Sequence, residues 1–170
     1  NQLDKDEFVA KRDGLNIKTV QGNMSDLSAF RSEEFDIIVH PVSNLFVEDV
    51  RPVWREAARV LKNNGIMISG FTNPLLFIFD DEEDRKGHLV VKNPIPFCSL
   101  NHLTEKEMEE YIQANHTIEF GYTLEDQIQG QIDAGFAITG FYEDDFGGSR
   151  PLDNYIKCFI VTRSIKMKMI

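Results

Sequence analysis

Few side chains in this 170-residue sequence are placed to do chemistry, and His40 is the first of them. It ends the apolar run Phe35-Asp36-Ile37-Ile38-Val39 and precedes Pro41, which has no N–H to donate to a strand ladder. A strand-end histidine, with an unperturbed pKa of about 6.5, can take a proton from a hydroxyl or amine nucleophile. It can equally contribute only its backbone carbonyl and its packing. The acidic run Asp80 to Asp84 has the charge for a cation but not the spacing of a calcium loop, so a solvated loop is expected. Cys98 and Cys158 are far apart, without CxxC or His/Cys ligand spacing, and each reads as a small buried hydrophobe. His88, His102 and His116 also lack ligand spacing, so no metal site is expected.

The elements that would position these groups follow from periodicity. The first dozen residues read as an amphipathic helix with Leu3, Phe8 and Val9 as core contacts, stopped by Gly14 and followed by a short strand from Ile17 to Gln21. A polar turn, Gly22-Asn23-Met24-Ser25, leads into a short segment around Leu27 to Phe30, and Phe35 to Val39 is a strand. Val50, Val53, Trp54, Ala57 and Leu61 then recur at helical spacing as one apolar stripe, with Glu48 and Asp49 at the end where the helix dipole favours them. Asn63-Asn64-Gly65 closes that helix, and Ile66 to Thr72 is the next strand. Strand, helix and strand with short connections form a βαβ unit, which makes the two strands parallel.

Regularity fails from Asn73 to Leu100, where a hairpin with arms Leu75–Phe79 and His88–Val91 is the expectation. Thr104 with Glu107 is a capping box at a helix start, and residues 117–123 alternate like a strand. Thr123 with Asp126 opens another helix that Gly135 ends. Phe136 to Asp144 and Tyr155 to Ser164 read as two antiparallel strands. The expectation is one α/β domain over residues 1–170. Its sheet is mostly parallel with an antiparallel last strand, and residues 73–103 form an insertion after the third strand.

With 42% hydrophobic residues, the chain can bury about 70% of its unfolded surface. A net charge of −10 argues against a nucleic-acid partner, which would need clustered Lys and Arg. No run is long and apolar enough to span a bilayer, so no membrane partner is expected. Cys98 and Cys158, without disulfide or ligand spacing, make a reducing cytoplasm the default.

The order of segments carries more than any one residue. Val20-Gln-Gly-Asn-Met-Ser-Asp-Leu27, then Phe35-Asp-Ile-Ile-Val-His-Pro-Val-Ser43, then Glu56-x-x-Arg59-Val60-Leu61-Lys62-x-x-Gly65 running into a strand resemble successive segments of class I S-adenosylmethionine-dependent methyltransferases, of the methyltransferase-11-like kind. The stretch from Thr123 to Asp144, with its Ala134-Gly135-Phe136 turn, resembles that family's last helix and strand. The resemblance implies a Rossmann-like methyltransferase sheet and S-adenosylmethionine as cofactor. It also implies that the chain starts after the family's first strand, glycine-rich loop and second strand, so that it binds cofactor poorly and is inactive alone.

Asn23 stands where the family usually has an acid accepting from the adenine amino group, and an amide oxygen can accept the same bond. Met24 would offer its N–H and an apolar side chain to the adenine; it can equally fill core. His40, Pro41 and Val42 resemble the segment lining the methionine end. Asp36 reads as structural. Methyl transfer from a sulfonium needs alignment and loss of one proton, so a missing triad is no objection.

The implied activity is methyl transfer to a small-molecule acceptor. Two alternatives share the βαβ order: a non-catalytic interaction module and a Rossmann-type nicotinamide oxidoreductase. Phe77, Phe79 and Phe97 in the insertion suit either an acceptor pocket beneath a substrate cap or a satellite core. Under the resemblance, the strand Phe35 to Val39 would have one unpaired edge, and a homodimer formed through that edge is expected.

Overall fold

The computed structural model of the protein describes residues 2–101 and 103–168; His102 lies outside them. A four-stranded sheet in the order β1-β2-β6-β5 forms the centre, from β1 (Phe35–Pro41), β2 (Leu61–Thr72), β5 (Phe136–Asp144) and β6 (Phe159–Lys166). The pair β1 and β2 is parallel, and β6 runs antiparallel to both β2 and β5. Three strands therefore point one way and the last runs back, as the βαβ pattern and the final return predict.

The helix α2 (Arg51–Val60) makes the parallel crossover. It starts with Asp49 accepting the Arg51 N–H and with Pro52 in its first turn, where a missing N–H costs nothing. All five residues of the predicted stripe are buried and pack with Met67 and Phe136. Each large one contributes roughly 1.5–3 kcal/mol. The helix ends at Val60, earlier than its asparagines suggest. Leu61 already pairs with Phe35, and residues 62–65 loop out before Ile66 pairs with Ile37, with Asn64 at φ 62°.

Under the same face runs a helical segment made of a π turn (Glu125–Gln129) and α6 (Gly130–Asp133). The Trp54 indole N–H donates to the Asp126 carbonyl, and Arg51 pairs with Asp126 and Asp133. Gly130 lets the two helices touch: a Cβ there would stand 2.8 Å from the Trp54 ring.

Several expectations are corrected. Among the described side chains of α1 (Gln2–Arg12) only Ala10 is buried, while Phe8 is 69% exposed and Val9 also faces solvent. Residues 15–20 fold back beside Leu3, Val9 and Ala10, and Phe8 is left on the solvent side. Residues 17–21 form no strand and join neither sheet among the described residues. The strand over residues 117–123 shrinks to β4 (Phe120–Gly121), paired with β3 (Phe97–Cys98).

In the insertion, the first hairpin arm is a helical turn, α3 (Leu75–Ile78), and only Phe79 and Val91 form a bridge. The acidic run is not a loop but α4 (Asp81–Arg85), capped by the Asp80 carboxylate. Asp84 on it is fully buried against Arg150, a partner 66 residues away that offsets burying the charge. Phe77 and Phe97 stack at 5.1 Å, and Gly121 packs on Phe77, so these aromatics build a satellite cluster. The capping box of α5 (Glu105–Gln113) forms as predicted between Thr104 and Glu107. Asp36 pairs with Lys62 at the surface.

Candidate functional site

The last residues of β1 turn their side chains to opposite faces of the sheet. Ile38 and His40 point towards α2, whereas Ile37 and Val39 lie on the other face and are 59% and 65% exposed. The His40 ring meets Trp54 edge-on, with centroids 5.6 Å apart, and its Nε2 has no hydrogen-bond partner among the described residues. Burial pushes the imidazole down to a pKa of about 4, so the ring is neutral near pH 7.

Beyond Pro41 the chain bends at Val42, whose φ of 37° is unusual for a β-branched residue. The Val42 N–H donates to the Gly70 carbonyl at 2.9 Å. A Cβ on Gly70 would come within 3.2 Å of the Val42 side chain, so glycine admits this close approach. A 3₁₀ turn, Asn44–Phe46, follows.

The second part of the site is the turn over residues 22–30. The Asn23 Oδ1 accepts from the Ser25 N–H and hydroxyl at 2.9 and 2.8 Å, an Asx turn on the surface. Met24 is half-buried and packs against the core around α2. Two residues of α2 hold this turn in place. The Glu56 carboxylate accepts the Leu27 N–H at 2.7 Å, while Arg59 donates to the Leu27 and Phe30 carbonyls and grips Glu56. The Arg59 hydrogen bond holds the Glu56 carboxyl below its ordinary range.

Met24 and His40 are thereby brought to one apolar cavity of about 300 Å³, with walls that include Phe30, Phe35, Ile38 and Trp54. It opens along β1, the edge strand, where no described residue pairs with the outer side. Asn23 adjoins the cavity through Met24. Pro41 and Val42 continue from His40 but do not line it.

Pattern reading missed the buried polar residues behind this site, namely Asn44, Ser69, Gln127, Gln131, Thr162 and Ser164. The signal was partly there, since Ile160, Thr162 and Ser164 share one face of β6 by alternation and are all buried. Among the described residues no group of His, Cys, Asp and Glu could hold a metal ion. No described helix is long and apolar enough to cross a membrane.

Residues 1–69 match the model of a family described as a methyltransferase domain. An uncharacterized methyltransferase of Bacillus subtilis (strain 168), YbaJ, is 55% identical over 166 residues. That match covers 98% of this chain, which spans 64% of the relative's length. Among solved structures, the fold is similar to a Listeria monocytogenes protein at a TM-score of 0.70 and 13% identity, over 95% of this chain and 75% of that one. An S-adenosylmethionine dependent methyltransferase from Mesorhizobium loti gives 0.62 and 13%, over 94% and 76%. At these identities the structures speak for the fold.

Proposed function

We propose that this chain belongs to the class I S-adenosylmethionine-dependent methyltransferases, a reading supported by the family model over residues 1–69 and by the 55%-identical Bacillus subtilis relative, and that the protein transfers a methyl group to a small-molecule acceptor. The observation that carries the reading is the convergence of Met24 and His40, from two separated segments, on one apolar cavity beside the Asn23 turn. An apolar wall with an amide oxygen at its edge suits a purine ring with an exocyclic amine. The Asn23 Oδ1 is shared with Ser25, so accepting from that amine requires the serine hydroxyl to turn aside.

We assign Asn23 and Met24 to the adenine, and His40, Pro41 and Val42 to the methionine end. S-adenosylmethionine supplies an electrophilic methyl on a sulfonium; the chain's own residues bind and align. His40, half-buried and neutral, serves first as a wall, and a proton taken there would be weakly held. The net charge of −10 favours a small acceptor over nucleic acid. The free thiols Cys98 and Cys158 suit a cytoplasmic setting.

Residues 73–103 are assigned as the cap over the acceptor.

Calorimetry with S-adenosylhomocysteine tests the assignment. Met24→Asp should weaken binding by setting a carboxylate against an apolar ring, while Asn23→Asp should leave it nearly unchanged. Equal effects from the two would remove the adenine from this position.

The exposed edge of β1, with Ile37 and Val39 beside it, supports a homodimer of this chain joined edge to edge. Light scattering at tens of micromolar should find it; a monomer there would sink the idea.

A further inference from the structure

A chain of buried polar side chains crosses the core beneath the sheet. On β6 the hydroxyls of Thr162 and Ser164 both donate to the Gln131 Oε1, at 3.0 and 2.8 Å. The Gln131 amide donates in turn to the Gln127 carbonyl at 2.9 Å. The Gln127 Oε1 accepts from the Asn44 Nδ2 at 2.8 Å. All five residues are buried, Asn44 to 1% exposure. From the other side the Tyr122 hydroxyl donates to the backbone carbonyls of Asn44 and Val47.

Five polar residues in such a place are costly unless satisfied, and apolar ones of the same size would stabilise the core at least as well. The arrangement runs from the middle of the sheet to a single loop. That loop, residues 42–47, begins with the strained Val42 and follows His40 and Pro41 directly. A β-branched residue in left-handed backbone persists only where its surroundings over-determine it. The Val42–Gly70 hydrogen bond is one restraint, and Asn44, two residues on, is held by both a side-chain and a backbone contact. Gln127 itself sits in the π turn, an irregularity that recurs where a helix has been adapted to a local task.

We propose that Asn44 is a positioning residue: pinned by Gln127 and Tyr122, it locks the loop over residues 42–47 and so fixes how His40, Pro41 and Val42 meet the ligand. The lock is a property of the loop itself. Its service to the cofactor rests on the function proposed above, and the two are tested separately.

Amide hydrogen exchange on the ¹⁵N-labelled chain reads the lock. Gln127→Met keeps the shape of the side chain and removes the acceptor for Asn44. Exchange at the Val42, Phe46 and Val47 amides, whose hydrogen bonds close this loop, should rise about tenfold, the worth of one buried hydrogen bond. The Met67 and Ser69 amides of β2 should stay as slow as before. Tyr122→Phe, which removes only a hydroxyl, should loosen the same amides and serves as the reference if Gln127→Met folds poorly.

If loop and strand amides accelerate together, or neither does, Asn44 is ordinary core and the proposal is overturned. A titration with S-adenosylhomocysteine then reads the service to the ligand. Weaker binding by the loosened variants supports positioning. Unchanged binding overturns it and leaves the proposed function standing. No binding by the unmodified chain at millimolar ligand would count against that function and not against the lock.

Discussion

Lowering the pH from 7 to 5 should cost this protein about 2 kcal/mol through His40 alone. The imidazole is half-buried against Trp54, its buried Nε2 has no partner among the described residues, and its folded pKa is pushed down to about 4. In the unfolded chain the same group titrates near 6.5, at about the value of a free histidine. Between these two values the unfolded state binds the proton and the folded state does not, so acid favours unfolding. The stability is fully present above about pH 6.5 and drains away as pH falls towards 4, reaching roughly 3 kcal/mol at the lower end.

Urea denaturation at pH 7 and pH 5 measures this directly. His40→Leu, which keeps the bulk and removes the titration, supplies the control for carboxylates such as Glu56 and Asp126, whose own pKa values are lowered. The unmodified chain should lose about 2 kcal/mol more than the variant between the two pH values, or about 4–8 °C in Tm. Parallel pH profiles would mean that His40 is solvated or finds a partner, and its assignment as a neutral wall would fail.

Arg150→Ala should destabilise the protein by about 3 kcal/mol or more, because it leaves Asp84 buried with its charge unpaired. The double replacement Asp84→Leu with Arg150→Met should recover much of that loss in thermal melts; no recovery would show that Arg150 matters for packing instead. Gly130→Ala should lower stability by about 1–3 kcal/mol, since the new Cβ would stand 2.8 Å from the Trp54 ring. A neutral result in denaturant titration would mean that α2 and α6 can move apart at little expense.

How much of this was legible depended on whether the partner was local. The stripe of α2 and the Thr104–Glu107 capping box involve residues within a few turns of one another, and both form as their spacing predicts. The antiparallel return of β6 was legible for a similar reason, because two β-rich runs are joined by a turn-forming loop. The acidic run misled, since charge density predicts solvent and Asp84 finds Arg150 far along the chain. Phe8 and Val9 misled in the opposite sense: their spacing suits a buried face, yet Phe8 is 69% exposed and Val9 is only partly covered, by the segment over residues 15–20.

At the site, the segment ends His40 to Val42 and Asn23-Met24 could be singled out by resemblance. The clamp of Glu56 and Arg59 on the Leu27 turn could not, although both residues belong to a segment that carries the resemblance. Their hydrogen bonds go to backbone atoms, and a backbone atom leaves no mark on sequence. The buried glutamines were invisible for a related reason: a reading that sorts residues by polarity puts Gln127 and Gln131 at the surface.

The central claim is that two separated turns, at residues 23–24 and 40–42, form one site for an S-adenosylmethionine-type ligand. The most direct measurement is a titration of S-adenosylhomocysteine, to millimolar concentration, into the ¹⁵N-labelled protein, followed by amide chemical shifts. The account predicts saturable shifts centred on Asn23, Met24, His40 and Val42, with β5 and α5 unmoved. Saturable shifts centred elsewhere, or none at any of these four amides, would contradict it.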